Sequence, residues 1–398
     1  MAGVTPTTTS KNHPHVLFAI LDWGLGHATR TWPLILAARQ SGAQVTVASR
    51  GPAAEWLQSR MNAVMAEEAP AGKLPQPWIC LPKPGTHIQY APGRWTSIKI
   101  AGQLPSFLRS ISAEKRWLSA QLATGSITHV VSDNCYGACP ARLGVSSALM
   151  THQIAPPIPW WLRALANRQI RRWARPFDEV WVPDLDHGVL AGRLSVAKVP
   201  AVRFVGALSR FMPGIDGLGK AINAENIKGV SEKSPPLVGM VSGPEPQRSL
   251  MEKALIACFL KDGRPAVIFS GKPEGGDRTE GQVQVVYHAS DTRIRQALLL
   301  AESIVCRSGY SSLMDLIALN VVATLVPTPG QPEQEHLAHH WAMTWGWRVV
   351  QQKDLSKFHA EKAEGRLPAT ARTQGQAPFP WLQAWLYPHD PVPIKLQA

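Results

Sequence analysis

No uninterrupted apolar run in this sequence approaches the roughly 20 residues that cross a bilayer as a helix. The first fifteen residues are polar and rich in threonine and proline, without the apolar segment of a secretory signal. Cysteine is scarce, and its odd count of five argues against a disulfide framework. We therefore expect a soluble, cytoplasmic protein.

The sequence also lacks clusters of metal ligands and signatures of RNA binding. Cys135 and Cys139 stand four residues apart without further ligands nearby, so small buried thiols are the simpler interpretation. No aromatic platform of the kind that stacks on nucleic-acid bases is evident. We expect no metal, no cofactor and no nucleic-acid partner.

Acidic residues are few relative to basic ones. The chain has 41 Lys and Arg against 28 Asp and Glu, a formal net charge of +13. Residues 1–208 contribute +11 of this excess, and the remainder contributes +2. A local excess of this size favours an anionic partner, such as a membrane surface or a phosphorylated substrate.

Apolar runs of strand length alternate with helical patterns in both halves of the chain. HVLFAIL, a helical stretch and AQVTVAS form a βαβ pattern near the start, which predicts a parallel sheet. The length favours two α/β domains. We predict one domain over 1–208, a polar linker over 209–234, a second domain over 235–353 and a tail over 354–398. Residues 69–103, rich in Pro and Gly, are predicted to be irregular.

The first strand runs into Asp22-Trp23-Gly24-Leu25-Gly26-His27. Gly24 and Gly26 allow the backbone to approach a ligand closely. His27 is a candidate general base, because its ordinary pKa is near neutrality. Asp22 and Asp133 are rivals, since each follows a predicted strand. A structural turn without a ligand is the alternative interpretation.

The second half has three loops that each follow a strand. Ser242-Gly243 precedes a helix, which is a phosphate-binding geometry. Cys306-Arg307-Ser308-Gly309 also precedes a helix, and Asp315 follows Ser308 by seven residues. A carboxylate at that position could accept hydrogen bonds from both hydroxyls of a ribose. Glu333, Gln334 and Glu335 open a further helix after Val326-Pro327.

These motifs together resemble the family 28 glycosyltransferases, whose best-known member adds N-acetylglucosamine to a lipid-linked peptidoglycan precursor. The similar features are the Gly-His loop, the Cys-Arg-Ser-Gly turn with an acid seven residues after its serine, and the Val-Pro turn before a Gln-containing helix. Thr151-His152-Gln153 is similar to part of the family's N-terminal domain. The resemblance implies the GT-B architecture, in which two Rossmann-like domains face one another across a cleft.

The resemblance also implies roles for individual residues. Asp315 would hold the ribose of the donor, Gln334 and Glu335 would hold its sugar, and His27 would lie near the reacting centre. The diphosphate would face Ser242, Gly243, Ser308 and Gly309, with positive potential from Arg30, Arg248 or Arg307. The acceptor side would comprise Gly24, Gly26, Arg30, His152 and Gln153. Asp22-Trp23 and Glu335 depart from the family pattern, which leaves the acceptor and the donor sugar open.

We therefore predict an inverting, metal-independent hexosyltransferase that moves a sugar from a UDP-sugar to an acceptor hydroxyl. A UDP-sugar 2-epimerase on the same fold is one alternative, and a non-catalytic binder of anionic lipid or nucleic acid is another. Residues 160–175 contain five arginines and no acid. An amphipathic helix packed on the sheet is the simpler interpretation, and peripheral contact with the inner membrane surface or with a lipid-linked, anionic acceptor is the functional one.

Overall fold

The computed structural model of the protein describes residues 13–68, 78–85, 102–140, 144–157, 160–196, 199, 201–212, 236–243, 245–271, 275–369 and 379–388. Most of the predicted linker and much of the 69–103 segment lie outside these ranges. Two separate β-sheets organise the described residues. Each sheet is covered by helices, as expected for two Rossmann-like domains.

The first sheet has seven strands in the order β3-β2-β1-β4-β5-β6-β7, all parallel. Its strands are β1 (His15–Ile20), β2 (Gln44–Ser49), β3 (Ile79–Pro82), β4 (His129–Asp133), β5 (Ser146–Met150), β6 (Glu179–Val182) and β7 (Val202–Phe204). Its helices are α1 (Gly26–Gln40), α2 (Gly51–Glu68), α3 (Leu104–Leu122) and α4 (Trp160–Ala174). Because β3 pairs with β2 at the sheet edge, the prediction that all of 69–103 is irregular was wrong there.

The second sheet has six strands in the order β10-β11-β9-β8-β12-β13. Its strands are β8 (Leu237–Met240), β9 (Ala266–Phe269), β10 (Arg278–Glu280), β11 (Val283–Val286), β12 (Ser303–Arg307) and β13 (Thr324–Val326). Its helices are α5 (Gln247–Asp262), α6 (Asp291–Leu300), α7 (Tyr310–Ala318) and α8 (Pro332–Trp345). All pairings are parallel except that of the edge strand β10, which is antiparallel to β11.

The central strands are apolar because helices cover both faces of each sheet. Every residue of β1 and of β12 is buried. A parallel sheet buried on both sides excludes the polar alternation of an exposed sheet, and this explains the uninterrupted apolar runs. Among the described residues, no helix is both long and apolar enough to span a membrane.

The C-terminal segment returns to the first sheet. Helix α9 (Pro380–Leu386) places Leu382 and Leu386 in the hydrophobic core beside α1. Trp381 and Trp385 both make edge-to-face contacts with Trp181 of β6, at ring-centroid distances of 4.7 and 4.8 Å. The Tyr387 hydroxyl donates to the carbonyl oxygen of Ser41 at 2.9 Å. Helix α9 therefore packs on the domain that contains β1.

The strand orders locate where each sheet can bind a ligand. In the first sheet, the chain adds β2 and β3 on one side of β1 and then crosses to add β4 on the other side, so the strand order reverses between β1 and β4. In the second sheet, the same reversal occurs between β8 and β12. Ligands of open α/β sheets bind beyond the carboxyl ends of the strands at such a reversal point. Most of the candidate residues lie at the ends of these four strands, in the loops after them or in the helices that follow.

Candidate active site

The loop after β1 brings the first domain against the second. Gly24 has φ +88°, a left-handed conformation that favours glycine. Helix α1 begins at Gly26, whose carbonyl oxygen accepts a 2.8 Å hydrogen bond from the Ser311 hydroxyl of α7. A Cβ atom at position 26 would lie 3.0 Å from that hydroxyl oxygen. Glycine therefore allows the starts of α1 and α7 to meet.

A buried cluster of charged side chains lies beside this loop. His27 Nδ1 lies 3.0 Å from Asp133 Oδ1, and Arg30 Nε donates to Asp133 Oδ2 at 3.1 Å. Arg30 Nη2 also contacts Asp133 Oδ1, and the Thr31 hydroxyl donates to Asp133 Oδ2 at 2.8 Å. The Asp133 side chain is completely buried at the end of β4. Because β1 and β4 are neighbours, residues more than 100 positions apart meet here.

Burial and charge set the protonation states in this cluster. Burial by itself raises the pKa of a carboxyl, but Arg30 and His27 outweigh it and hold the pKa of Asp133 well below its usual value. Burial, assisted by the Arg30 charge, lowers the pKa of His27 below its ordinary value despite the Asp133 carboxylate. Near neutral pH, Asp133 is therefore ionised and His27 is uncharged.

The position of the single N–H on the neutral His27 ring decides its chemistry. Nδ1 lies 3.0 Å from Asp133 Oδ1 and 2.9 Å from Arg30 Nη2. Asp133 Oδ1 can only accept and Arg30 Nη2 can only donate, so Nδ1 forms a hydrogen bond with one of the two. When Nδ1–H donates to Asp133, the lone pair of Nε2 is left to accept a proton. A carboxylate beside Nδ1 stabilises that tautomer and also the imidazolium that forms from it. This arrangement suits a general base.

His152 connects the cluster to the second domain. Arg30 Nη1 donates to His152 Nδ1 at 2.7 Å, and His152 Nε2 lies 2.8 Å from Glu333 Oε1 at the start of α8. The His152 ring also stacks on Tyr310, the first residue of α7, with centroids 4.2 Å apart. A continuous set of polar contacts therefore runs from Asp133 to the C-terminal domain.

Asp22 has its partners outside this cluster, whereas Gln153 adjoins it, with its Nε2 3.4 Å from His152 Nε2. Asp22 Oδ2 accepts a hydrogen bond from Arg50 Nε, and Arg50 Nη1 also donates to the carbonyl oxygen of Gly85 at 3.0 Å. The backbone N–H of Gln153 donates to the Thr151 hydroxyl at 3.1 Å. His27, Arg30, Asp133 and His152 are thus brought together, whereas Asp22 lies in a separate ion pair.

Two helix N-termini open at the facing edge of the second sheet. Gly243 has φ +100°, and α5 begins four residues later at Gln247. Arg248 in its first turn contacts Glu245 Oε1 at 3.1 Å and donates to the carbonyl oxygen of Gly271 at 3.0 Å. Gly309 stands at the N-cap of α7. N–H groups of first helical turns attract anions, which suits a diphosphate, although at α5 the Ser249 N–H already donates to Glu245 Oε2 at 3.2 Å.

The structure corrects the expectation for Arg307, which was assigned to the diphosphate. Its side chain is fully buried, and Nη2 donates to the Gln247 carbonyl oxygen at 2.7 Å and to Gln352 Oε1 at 2.6 Å. Burial lowers the pKa of Arg307 to about 10. Ser308 is also buried, and its hydroxyl donates to the Gln334 carbonyl oxygen at 2.8 Å. The hydrogen bonds of these two side chains therefore hold the loop after β12 in place, and neither side chain faces the cleft.

Asp315, the candidate ribose ligand, is already bonded to the segment after β7. The Ser209 hydroxyl donates to Asp315 Oδ1 at 2.6 Å, and Arg210 Nε donates to Oδ2 at 3.1 Å. Arg210 Nη1 also donates to Asp291 Oδ1 at 2.8 Å. Burial raises the pKa of Asp315 although Arg210 and Ser209 oppose the shift. A ribose would have to replace one of these two partners.

The three polar residues that open α8 have different environments. Gln334 Oε1 accepts hydrogen bonds from the Thr328 backbone N–H at 3.0 Å and from the Thr328 hydroxyl at 2.9 Å. Glu335 is exposed, and its carboxylate accepts from the Gly330 N–H at 2.9 Å. Glu333 instead contacts His152 across the domains. The carboxylate adjoining the cluster is therefore Glu333, whereas Glu335, predicted to help hold the donor sugar, lies apart from it.

Sequence reasoning missed several residues of this site. Thr31 lies one helical turn after His27, a spacing that could have revealed it. Ser209 and Arg210 fall at the start of the predicted linker. Only their position directly after a predicted apolar strand indicated that they could belong to the site. Glu333 stands out in the sequence as a first-turn acid, but stabilisation of the helix dipole explains an acid at that position equally well.

No known family's sequence profile matches this chain, and no curated protein matches its sequence. Solved structures do match. Arabidopsis thaliana UGT89C1, in complex with UDP-L-rhamnose, superimposes with a TM-score of 0.61 at 14% identity, covering 94% of this chain and 98% of that one. The spinosyn rhamnosyltransferase SpnG superimposes with a TM-score of 0.54 at 16% identity, covering 94% of this chain and 95% of that one. SnogD from Streptomyces nogalater gives 0.51 at 15% identity, with coverage of 94% for both chains. The chain has the GT-B fold of these glycosyltransferases.

Proposed function

We propose that the protein is a glycosyltransferase that uses a UDP-sugar donor. The observation that carries the proposal is the buried His27–Asp133 pair, which lies at the reversal point of the first sheet and adjoins the N-terminus of α7 in the second. Two structural neighbours are described with UDP-L-rhamnose or UDP bound, UGT89C1 and TcCGT1. The GT-B fold and the position of the His27–Asp133 pair therefore both support a glycosyl-transfer reaction.

The proposed chemistry uses the tautomer of His27 in which Nδ1–H donates to Asp133. Nε2 takes the proton from the acceptor hydroxyl while the oxygen attacks the anomeric carbon of the donor. The bond from that carbon to the diphosphate breaks, and UDP leaves with the bonding electron pair. The Asp133 carboxylate stabilises the imidazolium that forms. Attack from the face opposite the leaving group inverts the anomeric configuration.

The leaving diphosphate would bind at the start of α5 and α7. The backbone at Ser242–Gly243 and at Gly309, with Arg248 beside the first of these loops, provides positive potential where charge develops. We propose that these groups serve in place of a metal ion. Gln334 and Glu333, rather than Glu335, are the side chains best placed to hold the donor sugar.

The first test measures UDP release from a panel of UDP-sugars, with water or an added alcohol as acceptor. We expect turnover of at least one donor, and unchanged turnover in excess EDTA because helix termini and arginine stabilise the leaving group. Formation of an epimerised sugar without transfer would favour the 2-epimerase. Activity that requires added Mg²⁺ or Mn²⁺ would contradict metal independence.

The ribose assignment gives a second prediction. UDP should raise the melting temperature of the wild-type protein, and Asp315→Ala should remove most of this increase because the acceptor of the ribose hydroxyls is lost. The matched control is Asp291→Asn, which alters the same Arg210 network at a different carboxylate. A folded Asp315→Ala variant with an undiminished UDP shift would refute the assignment.

We further propose that α3 and α4 contact an anionic membrane surface, where a lipid-linked acceptor would be found. Leu104, Leu108, Trp161 and Leu165 on these helices are 45–65% exposed. The helices adjoin, since Phe107 packs against Trp173. The exposed charged residues of the two helices are all basic: Arg109, Lys115, Arg116, Arg163, Arg168, Arg171 and Arg172. Apolar side chains among basic ones suit an interface with anionic lipid better than they suit nucleic acid.

Vesicle flotation tests this surface. We expect binding to vesicles with phosphatidylglycerol, weak binding to pure phosphatidylcholine, and loss of binding in the Trp161→Ser/Leu165→Ser double variant. Leu250→Ser, which removes an exposed leucine from α5, is the matched control. Equal binding to neutral vesicles, or tighter binding to duplex DNA, would contradict the proposal.

A further inference from the structure

We propose that His152 is a positioning residue that holds the Glu333 carboxylate in the cleft and so connects the His27 cluster to the donor side. The inference rests on the proposed function and adds a specific role to a residue that does not touch the reacting atoms. Its basis is the set of contacts that the ring makes with Arg30, Glu333 and Tyr310, beside a longer 3.4 Å contact with Gln153 Nε2. The side chain is almost completely buried.

Arg30 determines which nitrogen of His152 carries the proton. A guanidinium can only donate, so His152 Nδ1, 2.7 Å from Arg30 Nη1, must accept. The ring hydrogen on Nε2 then donates to Glu333 Oε1 at 2.8 Å. Stacking on Tyr310 also restricts the orientation of the His152 ring.

The body of α8 is held against the first domain independently of His152. His336 and His340 contact the carbonyl oxygens of Ala191 and Val189 at 3.2 and 2.9 Å, and Trp341 Nε1 donates to that of Leu190 at 2.9 Å. His336 and His340 share one face of α8 because they are four residues apart, and all three side chains bond to the consecutive carbonyl groups of 189–191. Loss of His152 should therefore release the Glu333 side chain without moving the helix.

The charges around Glu333 make the position of its carboxylate depend on the bond from His152. Burial raises the pKa of this carboxyl, but the bond from His152 and the charge of Arg30 outweigh burial and leave the pKa lowered. Glu333 is therefore ionised, with one oxygen bonded to His152. Without that bond, Arg30 would attract the carboxylate away from the sugar site and towards the His27–Asp133 pair.

A double-mutant cycle on donor turnover tests the inference. His152→Ala should lower kcat roughly 10- to 100-fold, with less than a threefold change in the Kd of UDP, because UDP lacks the sugar that Glu333 would contact. His152→Gln should recover most of the loss, since an amide can accept from Arg30 and donate to Glu333. Glu333→Gln combined with His152→Ala should cost little more than either change alone.

The control is His339→Ala, which removes an exposed histidine from α8 and should leave kcat unchanged. A His152 role limited to stability would lower the melting temperature, spare kcat per folded molecule and show no rescue by glutamine. Normal kcat in His152→Ala, or additive losses in the double variant, would overturn this inference alone. A wild-type protein that neither binds nor turns over any UDP-sugar would overturn the proposed function, and this inference with it.

Discussion

His27→Ala is expected to lower turnover of the preferred UDP-sugar by roughly 10²-fold or more while leaving UDP binding nearly intact. The variant removes the group that takes the acceptor proton, but the donor loops lie on the other domain and keep their geometry. Steady-state UDP release gives kcat, and calorimetric titration with UDP gives the Kd.

Two further results would strengthen the assignment of His27. The acid limb of kcat/KM should lie below pH 6.5, because burial and Arg30 lower the pKa of the imidazole and keep it neutral to lower pH. The exposed His359→Ala variant should have normal turnover. If His27→Ala retained near-normal turnover, His27 would have a structural role, and Asp22 would be the next base to test.

Asp133→Ala is expected to lower the free energy of unfolding by about 3–5 kcal/mol, the usual effect of removing one partner from a buried ion pair. The loss leaves the Arg30 guanidinium buried without its carboxylate and removes the acceptor for Thr31. Denaturant unfolding with a constant m-value would measure the change. Turnover should fall as well, because the His27 tautomer loses its partner.

The Arg30→Met/Asp133→Leu double variant is the control for uncompensated charge. If the penalty comes from the buried guanidinium, this variant should be more stable than Asp133→Ala, although it should remain inactive. A loss below about 1 kcal/mol in Asp133→Ala would contradict the view that Asp133 and Arg30 form one desolvated unit.

Much of the fold could be predicted from local patterns. The strand-length runs at 15–21 and 303–307, each followed by a glycine-containing turn and a helix, predicted parallel strands with loops at one edge. The fold prediction of two facing Rossmann-like domains is confirmed by the sheets and by the matching glycosyltransferase structures. The antiparallel strand β10 and the edge strand β3 escaped prediction because both are short and carry little periodicity.

Side-chain partners were decided by tertiary structure alone. Arg307 directly precedes the Ser308-Gly309 turn and is the last residue of β12. The sequence does not reveal that this position directs its side chain to the first residue of α5, where it donates to the Gln247 carbonyl oxygen. Asp315 could be identified as a candidate ligand, but its bonds to Ser209 and Arg210 depend on where the chain leaves the first sheet.

The sequence by itself determined the alternation of buried strands and helices, and therefore which loops gather at the carboxyl edges of the sheets. It could not determine which side chain faces which partner. Glu333 and Glu335 show the reason: two residues apart on a helix, they point about 200° away from each other. Only the packing of α8 against the first domain directs Glu333 to His152 and leaves Glu335 exposed.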